Sequence, residues 1–225
     1  MLPADLYARL PLLERLEIEM GLTVIDHALA GVVLTGLRDK TTPPATFRHL
    51  TKTVSTIIAV EAARTLPTHT VSVDTPVELT SGKALEVGLI TVPILRAGLG
   101  MLESVLDLIP EARVGYLGLE RSEDTAEAGL YYSKLPDVFG KTVWMLDPML
   151  ATGGSASRAA SILYHAGARH VSLLCIVAAP EGVAFLTANH PDLHIITASL
   201  DRELNGKKYI LPGLGDFGDR LFGTT

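Results

Sequence analysis

Residues 143–155 restrict this chain to few folds. An apolar run, Val143-Trp144-Met145-Leu146, ends in one acid, Asp147. Thr152, Gly153, Gly154 and Ser155 follow shortly, and a helix-forming segment, Ala156 to His165, comes directly after them. A strand, a loop and a helix start packed this closely point to an α/β protein. Glycines in such a loop let the backbone approach a ligand with no Cβ in the way. A helix N-terminus presents N–H groups to a phosphate. Asp147 sits where it could accept hydrogen bonds from sugar hydroxyls, so one short segment would read phosphate and ribose together.

The remaining pattern agrees. Leu6, Leu10, Leu13 and Leu16 recur at helical spacing, which predicts an amphipathic helix over 4–20 within an N-terminal extension of residues 1–25. Residues 26–225 are expected to form one domain. Pro43-Pro44 breaks the chain, and a helix is predicted over about 45–64 with Phe47, Leu50, Val54, Ile57 and Ile58 inward. Val71–Val73 and Val77–Leu79 can pair as short strands. Further strands are predicted at 89–92, 114–119, 142–146, 171–178 and 194–198, and helices at 98–108, 155–166 and 182–189. Strands separated by helices predict a parallel sheet covered on both faces. Ligands then bind beyond the C-terminal strand ends. The turns after Val92, Leu119 and Leu146 all carry unusual sequence at that edge.

Composition removes several classes of function. With 225 residues, 48% hydrophobic and 20% charged, the chain should fold rather than stay disordered. A net charge of −6 argues against nucleic acid as a partner. No apolar stretch is long enough to span a bilayer. The N-terminus carries Asp5, Glu14, Glu17 and Glu19 where a secretory signal would be basic, so a cytoplasmic protein is expected. Cys175 is the only cysteine and lies in an apolar run, which reads as a small buried hydrophobe. The seven histidines are scattered without metal-ligand spacing.

Three segments carry candidate chemistry. Arg96 interrupts an apolar loop, Pro93 to Gly100, beside a helix start. Its forked donors suit a pyrophosphate, although pairing with a surface carboxylate is the alternative. Arg121 stands in Glu120-Arg121-Ser122-Glu123-Asp124-Thr125, at the start of a charged hairpin. The C-terminal Gly213-x-Gly215-x-x-Gly218 fits a dinucleotide fingerprint by spacing alone. No strand–helix context follows it, so that reading is rejected.

Asp147-Pro148-Met149-Leu150-Ala151-Thr152-Gly153-Gly154-Ser155 resembles the phosphoribosyl-pyrophosphate (PRPP) loop of the type I phosphoribosyltransferase family. An Asp followed by Pro is the form seen in its uracil phosphoribosyltransferases. Leu95-Arg96-Ala97-Gly98-Leu99-Gly100 is similar to the family's pyrophosphate loop, known for a strained peptide bond. Residues 121–125 are similar to its Arg-x-Glu-x-Thr segment, on a flap running on through Tyr131 to Pro136. Tyr209 to Arg220 looks like its uracil-binding tail.

The resemblance implies a parallel sheet with helices on both faces. A small hood or flap, built by the terminal segments and a β-hairpin, would complete the fold. The implied reaction is uracil plus PRPP giving UMP and pyrophosphate, a step of pyrimidine salvage, with Mg²⁺ held mainly by PRPP. Asp147, Arg96 and Arg121 would be catalytic. PRPP would be bound by these three, by Pro148, Met149, Leu150, Ala151, Thr152, Gly153, Gly154 and Ser155, and by Asp216. Uracil would be read by Ile210, Gly215, Asp216 and Phe217, mainly through backbone groups. Phe217 replaces an alanine common in bacterial members, and its larger side chain is expected to narrow the base pocket. A homodimer or larger homo-oligomer is implied, with GTP as a candidate activator. Two alternatives stay open: a PRPP-sensing regulator without turnover, and transfer to a different base.

Overall fold

The computed structural model describes residues 21–86, 88–121 and 128–224. The helix expected over 4–20 and the segment 122–127 lie outside the described residues. A nine-stranded sheet forms the centre, in the order β1-β11-β10-β8-β4-β6-β7, with β5 on β4 and β9 on β10. Its strands are β1 (Leu22–Val24), β4 (Leu89–Leu95), β5 (Arg113–Val114), β6 (Tyr116–Arg121), β7 (Ala128–Lys134), β8 (Thr142–Leu146), β9 (Met149–Leu150), β10 (His170–Ala178) and β11 (His194–Leu200). All pairings are parallel except β6 with β7, a hairpin.

The sheet starts ahead of the expected boundary at residue 25. Leu22–Val24 pair with β11, and the Ile25 N–H donates to the Thr197 carbonyl (2.9 Å). A run of three residues is too short to register as a strand in sequence. The predicted strand at Val71–Val73 lies within β2 (Thr68–Asp74), but its partner is displaced from the expected Val77–Leu79: Val77 and Glu78 lie in the connecting turn, and β3 (Leu79–Leu85) pairs with β2 as a separate antiparallel ribbon.

Among the described residues six helices flank the strands: α1 (Ala28–Arg38), α2 (Pro44–Ala63), α3 (Leu99–Leu108), α4 (Gly154–His165), α5 (Pro180–Asn189) and α6 (Phe217–Phe222). Pro44 starts α2 at a position where a missing N–H costs nothing. Asp39 ends α1 by accepting from the Thr41 N–H (2.8 Å) and hydroxyl (2.7 Å), which turns the chain towards it.

Successive strand residues face opposite layers. Trp144, Leu146, Leu174 and Ile176 join the core beneath α1, α2, α3 and α6. Val143, Met145, Leu173 and Cys175 join the core with residues of α4 and α5. Burial on both sides explains why β8 and β10 read as continuous apolar runs. Cys175 is fully buried, and burial pushes its thiol up to about 12.

Strand order fixes where a ligand can enter. From β4 the chain moves outward to β6 and β7; from β8 it moves the other way, to β10. The helices that follow, α3 and α4, therefore lie on opposite faces. Their N-termini part at the C-terminal ends of β4 and β8, a topological switch point of the kind that opens a crevice.

Candidate active site

Both predicted anion loops flank that crevice. Asp147 follows β8 directly, and its N–H donates to the Leu174 carbonyl (3.2 Å). The loop beyond is pinned by backbone. The Pro148 carbonyl accepts from Ile176 (3.0 Å), and the Leu150 carbonyl accepts from Ala179 (2.9 Å). Gly153, at φ 82°, turns the chain into α4. No side chain caps this helix. The first bond it closes runs from the Ser157 N–H to the Gly153 carbonyl (2.8 Å), so the N–H groups ahead of it are free of intrahelical partners. Asp147, Met149, Leu150, Ala151, Thr152, Gly153, Gly154, Ser155 and Ala156 line a concavity of about 70 Å³. An uncapped helix start with a glycine turn favours a phosphate-sized anion there.

A further glycine makes this loop possible. Gly182, in the first turn of α5, lies so close that a Cβ would stand 2.3 Å from the Ala151 carbonyl oxygen. Sequence reading gave Gly182 no role, since its neighbour is distant in sequence. Gly98 is similar: a Cβ there would stand 2.2 Å from the Leu146 carbonyl oxygen. The Arg96 loop thus lies directly against the end of β8, one residue before Asp147.

Asp147 is only partly exposed, and burial raises its carboxyl to about 6, against a lowering bond from the Met149 N–H (3.3 Å). Arg96 is exposed, and the Leu95–Arg96 peptide is cis. Among the described residues no carboxylate pairs with Arg96. Its guanidinium instead lies over the Phe222 ring of α6, 5.8 Å from the centroid. Arg121 ends β6, at the same edge of the sheet, opposite Ala128 of β7.

The C-terminal tail closes over this edge. Two small strands, β12 (Glu203–Leu204) and β13 (Ile210–Leu211), bring it back, and a cis Leu211–Pro212 bond precedes Gly213 (φ 63°) and Gly215 (φ 76°). Gly215 and Asp216 are exposed, while the Ile210 side chain is buried. Asp216 caps α6 by accepting from the Asp219 N–H (3.0 Å). The expected narrowing of the base pocket by Phe217 is corrected here. Its ring is buried, edge-on to Phe47 with centroids 5.2 Å apart, in the core beneath α2. A residue in the first turn of an amphipathic helix turns its side chain inward while its backbone stays at the rim.

A separate concavity, of about 690 Å³, is lined by none of these residues. It lies between the β2–β3 ribbon and the N-terminal ends of β4, β8 and β10, away from the edge where a parallel sheet presents ligands.

The sequence model of the uracil phosphoribosyltransferase family matches residues 24–224. This chain belongs to that family. A uracil phosphoribosyltransferase of Dictyoglomus turgidum is 49% identical over 89% of this chain and 98% of its own length. One from Pseudarthrobacter chlorophenolicus is 48% identical, covering 91% and 99%. A solved structure of an Aquifex aeolicus protein superposes with a TM-score of 0.86 at 35% identity, covering 91% of this chain and 99% of that one. The family assignment spans every segment of the site: the loop after β4, the end of β6, the loop after β8 and the tail.

Proposed function

We propose that this chain transfers the 5-phosphoribosyl group of PRPP to uracil, giving UMP and pyrophosphate. The observation that carries the reading is the convergence at one switch point of an uncapped helix start, an Arg96 with no carboxylate partner among the described residues, and the exposed tail residues Gly215 and Asp216. In the reaction a bond forms between a ring nitrogen of uracil and the anomeric carbon, the bond to pyrophosphate breaks, and the nitrogen loses its proton. Most of the protein's task is positioning and charge stabilisation. The α4 N-terminus and residues Ala151 to Ser155 hold the 5′-phosphate. Asp147 holds the ribose hydroxyls beside the carbon that gains positive charge. Arg96, joined by Arg121, neutralises the departing pyrophosphate. Backbone groups of Ile210, Gly215 and Phe217 read the uracil edge, with Asp216 reaching PRPP. Cytosine would leave such fixed partners unpaired.

Asp147 and Asp216 are the carboxylates this reading places at PRPP, and no cluster of three metal-ligating side chains occurs among the described residues. That donor set fits Mg²⁺, which commonly rides on substrate phosphates with one or two carboxylates. When bound, the ion would supply further neutralisation of the pyrophosphate.

The β2–β3 ribbon supports a homo-oligomer. Its strands pack chiefly on each other, and Val77 and Leu79 are 92% and 71% exposed. An isolated two-stranded ribbon is marginal in water, so we place a second copy over it; sedimentation equilibrium tests this. GTP as an activator rests on resemblance and is tested by adding it to the assay. No described helix is long and apolar enough to cross a membrane, and a single buried thiol suits the cytoplasm, where we place the enzyme.

Formation of UMP from uracil, PRPP and Mg²⁺, with cytosine, hypoxanthine and orotate in parallel, tests the reading. Turnover of another base in place of uracil would overturn it. Arg96→Ala is expected to raise the PRPP KM by about 10- to 100-fold, the scale of a lost charge-assisted contact, with a smaller change for uracil. An unchanged PRPP KM would remove Arg96 from the pyrophosphate site.

A further inference from the structure

The exposed loop from Pro212 to Asp216 needs an anchor if it is to read a base with backbone groups. Three of its five residues are exposed, and two glycines hold positive φ. The anchor is an ion pair between a buried carboxylate and a partly buried guanidinium, which sequence analysis did not single out. Asp201, 5% exposed, follows β11. Arg38 is the last residue of α1. The guanidinium meets the carboxylate with both forks: Nη2 donates to Oδ1 (2.7 Å) and Nη1 to Oδ2 (2.9 Å).

Both partners also hold the loop directly. The Gly213 N–H donates to Asp201 Oδ2 (2.8 Å), and Arg38 Nη1 donates to the Gly213 carbonyl (3.0 Å). Ser199 completes the cage, its hydroxyl donating to Asp201 Oδ1 (2.8 Å) while accepting from Arg38 Nη2 (3.1 Å). Gly213 is therefore gripped at both ends of its own residue. A second arginine grips the next one. Arg220 Nη1 donates to the Leu214 carbonyl (2.8 Å) and to the Leu37 carbonyl, and Nη2 donates to the Asp39 carbonyl (2.6 Å). The C-terminal end of α1 and the loop are thus one body, joined across 163 residues of sequence at Arg38–Asp201.

We infer that Arg38 and Asp201 are positioning residues for base recognition. They touch neither reacting group; they set the register of Gly213 to Phe217 relative to the crevice. The geometry suits this task better than simple stability. A bidentate pair fixes orientation as well as distance, and the carboxylate's bonds run to Arg38 of α1, to Ser199 of β11 and to Gly213 of the loop. The inference rests on the proposed base-reading role of the tail.

Three variants test it: Arg38→Lys, which keeps charge but loses the fork; Asp201→Asn; and the milder Ser199→Ala. Steady-state kinetics would give KM for uracil and PRPP separately, and hydrogen exchange would follow the Gly213 to Phe217 amides without substrate. The expected result for Arg38→Lys and Asp201→Asn is a uracil KM raised at least tenfold, a PRPP KM changed less than threefold, and faster exchange confined to the tail. Ser199→Ala should shift both readouts in the same direction by a smaller factor. Parent-like uracil KM and tail exchange in a folded variant would overturn the inference, as would equal losses for both substrates. If the parent enzyme fails to turn over uracil, the functional reading falls while the exchange data still judge the clamp. Should Asp201→Asn not fold, Arg38→Lys and Ser199→Ala decide.

Discussion

Replacing Asp147 by Asn is expected to lower kcat by about 10²- to 10³-fold, the range for removing one preorganised electrostatic contact, while making the folded protein more stable at pH 7. The two effects share a cause. Asp147 is held at the end of β8 with one lowering bond, from the Met149 N–H, and burial raises its pKa from 3.8 to about 6. Between those values the folded chain binds more protons than the unfolded chain, so this group's contribution to stability falls as pH rises through the window. At pH 7 the charge is fully present and its cost fully felt. Asparagine keeps the shape and has no charge. With each pKa unit worth about 1.4 kcal/mol and some screening by solvent, Asn should stabilise by roughly 1–2 kcal/mol at pH 7. Near pH 4 the difference should close, because the folded-state carboxyl is then protonated. Urea unfolding at both pH values reads this directly. The same pKa predicts that kcat/KM for PRPP in the parent falls below about pH 6. Retained turnover in the Asn variant, or a stability gap indifferent to pH, would refute the assignment.

The second large effect is expected far from any substrate-binding side chain. Gly182→Ala would put a Cβ 2.3 Å from the Ala151 carbonyl oxygen and 3.0 Å from that of Leu150. Both obstacles are backbone, so a rotamer change cannot relieve them. Either α5 or the phosphate loop must move. The loop is the thinner element, yet its Leu150 carbonyl is tied to Ala179, the residue immediately before the α5 turn that holds Gly182. A misplacement of about 1 Å at a binding loop can cost on the order of 10²-fold in rate. We expect kcat/KM for PRPP to fall by about 10- to 100-fold, with overpacking costing about 1–3 kcal/mol of stability. Gly206→Ala is the control, since a Cβ there meets nothing within 4 Å. Parent-like PRPP kinetics for Gly182→Ala would show that the loop tolerates displacement.

These two residues also mark what the sequence made legible. Asp147 stood out because an apolar run stops at it and glycines follow, a contrast visible within one short window. β8 and β10 were equally plain, since burial on both faces removes polar residues. The helix over 45–64 was bounded by prolines and observed at Pro44–Ala63. Gly182 was silent because what requires a glycine there is a carbonyl oxygen across space. Arg38 and Asp201 were silent for the same reason, each unremarkable in its own neighbourhood. Phe217 misled because sequence places a residue near a site without saying which way its side chain turns. β1 was missed because three residues carry no periodicity.

Cys175 gives the protein a built-in chemical reporter. Its sulfur is buried in the middle of the sheet and its thiol is pushed up to about 12, so at neutral pH no alkylating reagent should reach a thiolate in the closed fold. With a single sulfhydryl in the chain, the modification rate becomes a clock for opening of the central strand, free of background from other sites. A ligand that binds only the closed protein slows that clock in proportion to its occupancy. Affinities for PRPP, pyrophosphate or UMP could therefore be measured one at a time, with no turnover and no label attached to the crevice.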